Sequence, residues 1–139
     1  MITDEIQIRP RYGEVDQMGY VYHANYISYC HLGRTELLRK YGIHDKVLED
    51  NNLILPVISF EIKYIKPAFY DDLLTIKTII KTIPEVRFNF EFEINNENNQ
   101  QISKAKSTVV FVNLKSRFPK AAPEFIKKAL RNPIKTPGI

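Results

Sequence analysis

Alternation is the strongest pattern in the chain. In "VRFNFEFEI", Val86, Phe88, Phe90, Phe92 and Ile94 fall on one face, and Arg87, Asn89, Glu91 and Glu93 on the other. A period of two over nine residues predicts a strand with one face buried. The asparagine-rich "NNENNQ" that follows reads as a hairpin turn, and "ISKAKSTVVFVNLK" resumes a strand rich in β-branched residues. Upstream, "ILPVISFEIKYI" and "LLTIKTIIKTI" read as two more strands with "KPAFYDD" as the turn between them, and "DEIQIRPRY" supplies a short first strand. Pro84 punctuates the end of the strand before the alternating one.

Two stretches carry helical spacing instead. Tyr26, Cys30, Gly33, Leu37 and Tyr41 form an apolar stripe, with Ile27 and Leu38 beside it, predicting a helix from about Asn25 to Tyr41. Gly42 stands where a left-handed C-terminal cap is expected. Gly33 on the buried stripe costs about 1 kcal/mol relative to alanine, so its presence implies close approach to something flat, such as a sheet. "PEFIKKALRN" predicts a second helix, with Pro123 at its first turn and Phe125, Ile126, Ala129 and Leu130 inward. The tail 132–139 has no periodicity and is expected to be loose. Strand, long helix, four strands and short helix give an α+β domain in which consecutive strands form an antiparallel meander and the long helix packs across its apolar face.

The totals change this picture little. The chain's 139 residues suit one domain, 1–139, able to bury roughly 68% of its unfolded surface without disulfide or metal support. One cysteine, Cys30, cannot form an internal disulfide. "MITDEIQIRPRYG" has no continuous apolar segment, and no stretch approaches the roughly 20 apolar residues of a membrane span, so a cytoplasmic location is expected. The net charge of +4 favours an anionic partner. The basic residues alternate with apolar ones, as on the wet face of a strand, and no basic run or stacking motif points to nucleic acid.

Chemistry concentrates in "RYGEVDQMGYVYHANY", directly ahead of the long helix. The first-turn amides of a helix lack intrahelical partners and carry the positive end of its dipole, so they favour an anion or a developing oxyanion. Asp16 precedes the helix by about nine residues, and Gly19 lets the chain bend back. A carboxylate beside free amides can attack a carbonyl, or activate a water that does, while the amides hold the tetrahedral oxyanion. Each residue also has a plainer reading: Asp16 capping a turn, His23 as a cap or surface residue, and Tyr12, Tyr20, Tyr22 and Tyr26 as packing. Glu14, Glu36 and Glu61 are rival carboxylates. His23, His31 and His44 lack the i, i+4 pairing of a metal site, and no metal is expected. There is no phosphate-binding glycine loop and no serine elbow.

"YGEVDQMGYVYHANYISYCHLGRTELLR" closely resembles the hot-dog-fold acyl-CoA thioesterases of the 4-hydroxybenzoyl-CoA thioesterase group. The pattern is carried by Tyr12, Asp16, Gly19, Val21, Tyr22, His23, Asn25 and Tyr26, and the likeness continues through "YIKPAFYDDLLTI" and "STVVFVNLKSRFP", roughly Ile6 to Pro123. It implies a five-stranded antiparallel sheet wrapped around one long helix. It also implies Asp16 as the catalytic carboxylate, oxyanion donors at the helix start near His23, and a substrate site that includes Tyr12, Gly19 and Tyr26. Coenzyme A would enter as part of the substrate rather than as a cofactor, with Arg87 near its phosphates. Active sites between two subunits imply a homodimer or a dimer of dimers. Gln17 and Met18 are bulkier than the small or proline residues of some members, which leaves the acyl pocket's size open. A non-hydrolytic module of the same fold, binding acyl-CoA or an acyl carrier, is the alternative; the presence of Asp16, Gly19 and His23 favours the enzyme.

Overall fold

A computed structural model describes residues 1–132. Among them the elements run β1 (Ile2–Ile8), α1 (Asn25–Lys40), α2 (Asp45–Asp50), β2 (Leu53–Ile54), β3 (Val57–Tyr64), β4 (Leu74–Ile80), β5 (Arg87–Asn95), β6 (Gln101–Asn113), β7 (Pro119–Lys120) and α3 (Glu124–Arg131). A 3-10 turn at Tyr12–Glu14 precedes α1. Five long strands form one antiparallel sheet in the order β1-β4-β5-β6-β3, and the two-residue strands β2 and β7 also pair with β6. This is the hot-dog arrangement, an α+β fold.

The alternating stretch behaves as its pattern requires. Phe88, Phe90, Phe92 and Ile94 are buried while Arg87 and Asn89 are exposed. Phe88 lies 4.3 Å from Phe90 and 5.8 Å from Phe111, ring centre to ring centre. Each such burial contributes roughly 1.5–3 kcal/mol. The asparagine loop closes the β5–β6 hairpin: Asn96 Oδ1 accepts from the amides of Asn98 and Gln100, both at 3.0 Å, and Asn99 takes φ 59°.

Helix α1 packs on β1 and β4. A Cβ on Gly33 would stand 2.7 Å from Thr78 Oγ1 and 3.1 Å from Ile76 Cγ2, so the glycine is what lets helix and sheet touch. At the helix's other end Gly42 takes φ 75°, and its amide bonds to Arg39 O at 3.0 Å while the Ile43 amide reaches Leu38 O at 2.9 Å. That bond pair is a Schellman cap, sealed by contact-prone apolar residues at its two ends, the buried Leu38 and Ile43.

Four readings need correction. First, the strands are not a simple meander. β3 pairs with β6, not with β4, and β4 lies between β1 and β5. The segment around "KPAFYDD" is therefore a crossing between sheet positions, because β6 is long enough to take β5 on one edge and β3 on the other. Second, Val86 sits just outside β5 and is exposed. Third, the α1 stripe includes Tyr29, which is buried, whereas Ile27 is exposed. Fourth, Val109, Val110, Phe111 and Val112 form an unbroken apolar run, too apolar in sequence for a strand with one wet face, which predicts cover from a second subunit. Within the chain itself Val109, Phe111 and Val112 are buried and Val110 is half-buried, with β2 and β7 closing on the end of β6. The uncovered apolar surface lies instead on β3 and the residues after it, with Val57 49% and Ile58 52% exposed and Ile65 and Phe69 also open. Helix α2 and strand β7 carry too few residues for a periodic signal, and "ILPVISFEIKYI", read as one strand, is divided at Leu55 and Pro56 between the end of β2 and β3. Residues 133–139 of the tail lie outside the described residues.

Candidate active site

The segment between β1 and α1 is stitched to the β3–β4 crossing. Val21 N donates to Ala68 O at 2.8 Å, Asp71 N donates to Pro10 O at 3.1 Å, and Arg9 Nη1 donates to Asp71 O at 2.7 Å. Ala68 N in turn donates to Tyr26 Oη at 3.3 Å, which ties the crossing to the first turn of α1. Between these segments opens a cavity of about 300 Å³, bordered by Asp16, Tyr20, His23, Tyr26, Tyr64 and Lys66.

Asp16 sits in a tight turn. Its backbone carbonyl accepts from Gly19 N at 2.9 Å, and its Oδ1 accepts from Met18 N at 2.9 Å and Tyr20 N at 3.4 Å. Gly19 adopts φ 82°, a left-handed conformation that glycine takes without strain, and this reverses the chain so that Val15 pairs with Val21. The turn-capping and pocket-lining readings of Asp16 therefore hold together. Both bonds fall on Oδ1, which leaves Oδ2 with no protein donor among the described residues.

The start of α1 faces the same cavity. The amides of Asn25, Tyr26 and Ile27 turn back onto the carbonyls of Tyr22, His23 and Ala24, at 2.9, 3.4 and 3.3 Å. The amides of His23 and Ala24 have no acceptor among the described residues. Tyr64 Oη donates to His23 O at 2.9 Å, fixing that peptide, and the Tyr26 and Tyr64 rings meet edge to face at 5.3 Å. The His23 ring is exposed, packed 4.5 Å from the Tyr22 ring. Burial raises the Tyr26 hydroxyl above its ordinary range, so it stays protonated as a neutral wall of the pocket.

Of the residues singled out in the sequence, Asp16, His23 and Tyr26 border this cavity, and Gly19 shapes the turn that presents Asp16. Tyr12 does not border it; it is 80% exposed and packs edge-on against Tyr70 at 5.8 Å. Arg87 is not brought there either. It opens β5 opposite Val110, exposed. Among the described residues, the Lys or Arg that borders the cavity is Lys66. Tyr64 and Lys66 were not singled out in the sequence, where Tyr64 reads as part of a strand and Lys66 as the start of the turn that follows it.

The rival carboxylates are otherwise engaged. Glu14 accepts from Arg11 N at 2.8 Å and from the Tyr29 hydroxyl at 3.0 Å, and pairs with the Arg11 guanidinium at 3.2 Å. Burial would push its carboxyl up, but those hydrogen bonds outweigh it and hold Glu14 below the usual carboxylate range. Glu36 pairs with Arg39 at 3.5 Å, and Glu61 stands exposed on β3 opposite Lys106. Among the described residues no three His, Cys, Asp or Glu side chains cluster as metal ligands, and no helix is long and apolar enough to cross a membrane.

The thioesterase-like superfamily model matches residues 10–130. The chain belongs to the thioesterase-like superfamily. YneP of Bacillus subtilis is 32% identical over 129 residues, covering 90% of this chain and 94% of YneP. The acyl-CoA thioester hydrolase YbgC of Escherichia coli is 31% identical over 119 residues, covering 86% of this chain and 89% of YbgC. Among solved structures, the DHNA-CoA thioesterase of Staphylococcus aureus superposes with a TM-score of 0.82 at 26% identity, covering 87% of this chain and 81% of that one. The superfamily match begins just ahead of the turn at Asp16 and runs to the last turn of α3, so it takes in both walls of the cavity.

Proposed function

We propose that this thioesterase hydrolyses an acyl-CoA thioester to the free acid and coenzyme A at the cavity between the Asp16 turn and the start of α1. The observation that supports the reading is that one cavity is bordered by Asp16, whose Oδ2 has no protein donor among the described residues, and by His23, whose amide, like that of the next residue Ala24, has no acceptor among them. A thioester carbonyl needs both: a base or nucleophile on one side and oxyanion donors on the other.

Two routes fit the arrangement. In the first, Asp16 takes a proton from water as the water oxygen bonds to the thioester carbon; the oxyanion collapses, the C–S bond breaks and the thiolate takes up the proton. In the second, Asp16 bonds to the carbon itself, expels the thiolate, and water then cleaves the resulting mixed anhydride. In both, the His23 and Ala24 amides hold the oxyanion, and Tyr64 keeps the His23 peptide in place through its carbonyl. Lys66 at the cavity edge is the cation best placed for a coenzyme A phosphate.

The working form is proposed to be a homodimer or a dimer of dimers. β3 is an edge strand whose free side carries exposed Val57 and Ile58, and unpaired edges are covered or paired in native proteins. A second copy joined there would cover this edge, whose last residue, Tyr64, borders the cavity. Thiol release from a panel of acyl-CoAs of different length and aromaticity, followed with a thiol-reactive dye, tests the reading. Turnover with at least one member supports it, and stoichiometric binding without release across the panel would replace it with a non-catalytic acyl-CoA binder.

A further inference from the structure

A second cavity, of about 440 Å³, lies away from the Asp16 turn, between the C-terminal half of α1, α2 and β2. That volume falls within the usual range for small-molecule sites, about 300–1,000 Å³. Its walls are mostly aliphatic: Leu38, Ile43, Leu48, Leu53, Ile54 and Leu114. Into it projects one half-buried cation, Arg34. The guanidinium sits 5.9 Å from the centre of the buried Phe90 ring, which fixes where it stands.

Arg34 is underused. No carboxylate lies within ion-pair distance of it among the described residues. Among the described residues its one side-chain hydrogen bond is from Nη2 to His31 Nδ1 at 3.0 Å. Burial, with the Arg34 charge adding to it, holds the His31 ring below its ordinary range, so the ring is neutral and can accept. A guanidinium has five N–H donors, and the bond to His31 uses one of them. Asp45 and Glu49 also border the cavity, both exposed on α2; Asp45 stands outside ion-pair distance of Arg34, and its charge only partly offsets the burial that lowers the guanidinium's pKa. A half-buried fork of donors in an aliphatic cavity matches a planar anion on an apolar body.

We propose that this cavity binds a carboxylate-ended apolar molecule, a free fatty acid in its simplest form, with the Arg34 guanidinium anchoring the carboxylate and the aliphatic walls taking the chain. The site is independent of thioester hydrolysis and is read without any coenzyme A ester. Octanoate is titrated into the whole protein while the methyl NMR signals of Leu38, Leu48 and Leu114 are followed, with 1-octanol as the uncharged comparison. Octanoate should move these methyls saturably and bind at least about tenfold more tightly than octanol, and Arg34→Gln should remove that preference. Leu48→Phe, which shrinks the cavity from α2 without touching Arg34, should weaken both ligands and keeps the test decisive if Arg34→Gln fails to fold. Equal binding of octanoate and octanol, equal binding of octanoate by wild type and Arg34→Gln, or shifts confined to Val21 and Ile65 beside the Asp16 turn would each overturn the proposal.

Discussion

Tyr29 Oη donates a hydrogen bond to Glu14 Oε1 at 3.0 Å, joining the buried face of α1 to the 3-10 turn two residues ahead of Asp16. The same turn is held by Asn25, whose Nδ2 donates to Glu14 O at 2.9 Å, and by Tyr22 N, which donates to that carbonyl at 2.8 Å. The helix start and the Asp16 turn are thereby one rigid unit, so the separation between the carboxylate and the free amides is set by the fold.

Cutting that link should loosen the unit without touching the chemistry. Tyr29→Phe removes the donor and leaves Glu14 with its Arg11 partners, so stability should fall by about 1 kcal/mol. Turnover should fall along with it, while the pH profile keeps its shape. Urea unfolding beside thiol-release kinetics over a pH series reads both quantities; a changed profile would mean that Tyr29 or Glu14 takes part in proton transfer.

Gly33→Ala should destabilise the protein even though alanine is the better helix former by about 1 kcal/mol, because the new methyl meets Thr78 Oγ1 and Ile76 Cγ2. Thr78→Ala removes the nearer of these atoms. Thermal melts of the two single variants and the double should show the double losing less than the sum of the singles. Additive losses would mean that helix and sheet approach differently.

Alkaline conditions act on the buried side of α1. Burial pushes the Cys30 thiol from 9.0 up to about 12 and raises the Tyr26 hydroxyl. Both groups ionise more readily unfolded than folded, so the stability they protect is complete below about pH 9 and is lost as pH rises from there toward 12. Denaturant midpoints should hold steady from pH 7 to 9 and then fall. In the folded protein at neutral pH, Cys30 should also be silent to thiol reagents, appearing as one reactive thiol on unfolding.

His23→Ala should cost far less activity than loss of the Asp16 charge, because the exposed ring is removed while the backbone amide stays. Thiol-release rates compare the two variants. A loss as large as that from Asp16 would assign proton transfer to the imidazole.

The sequence made some of this legible and hid the rest for physical reasons. Period-two alternation marked β5 because its two faces differ sharply, and the Gly33 and Gly42 positions were readable because each has one steric cause. Strand order was not readable. Alternation says which face is buried but not which neighbour fills each edge, so the pairing of β3 with β6 stayed hidden. The candidate cavity's border was legible where a local turn shapes it, at Asp16 and Gly19. It was not legible where a distant segment arrives, as with Tyr64, and Arg87 does not border the cavity.

The central claim is that Asp16 supplies the carboxylate for thioester cleavage. Asp16→Asn keeps a side-chain oxygen able to accept from Met18 N and Tyr20 N, so the turn and the fold should survive, as circular dichroism and melting will report. The decisive measurement is the kcat of this variant against wild type on the best acyl-CoA of the panel, by thiol release. A fall of at least about 100-fold in a normally folded protein is the expected result. Wild-type turnover in Asp16→Asn would contradict the account and move the search for the base to Glu14 or Glu36.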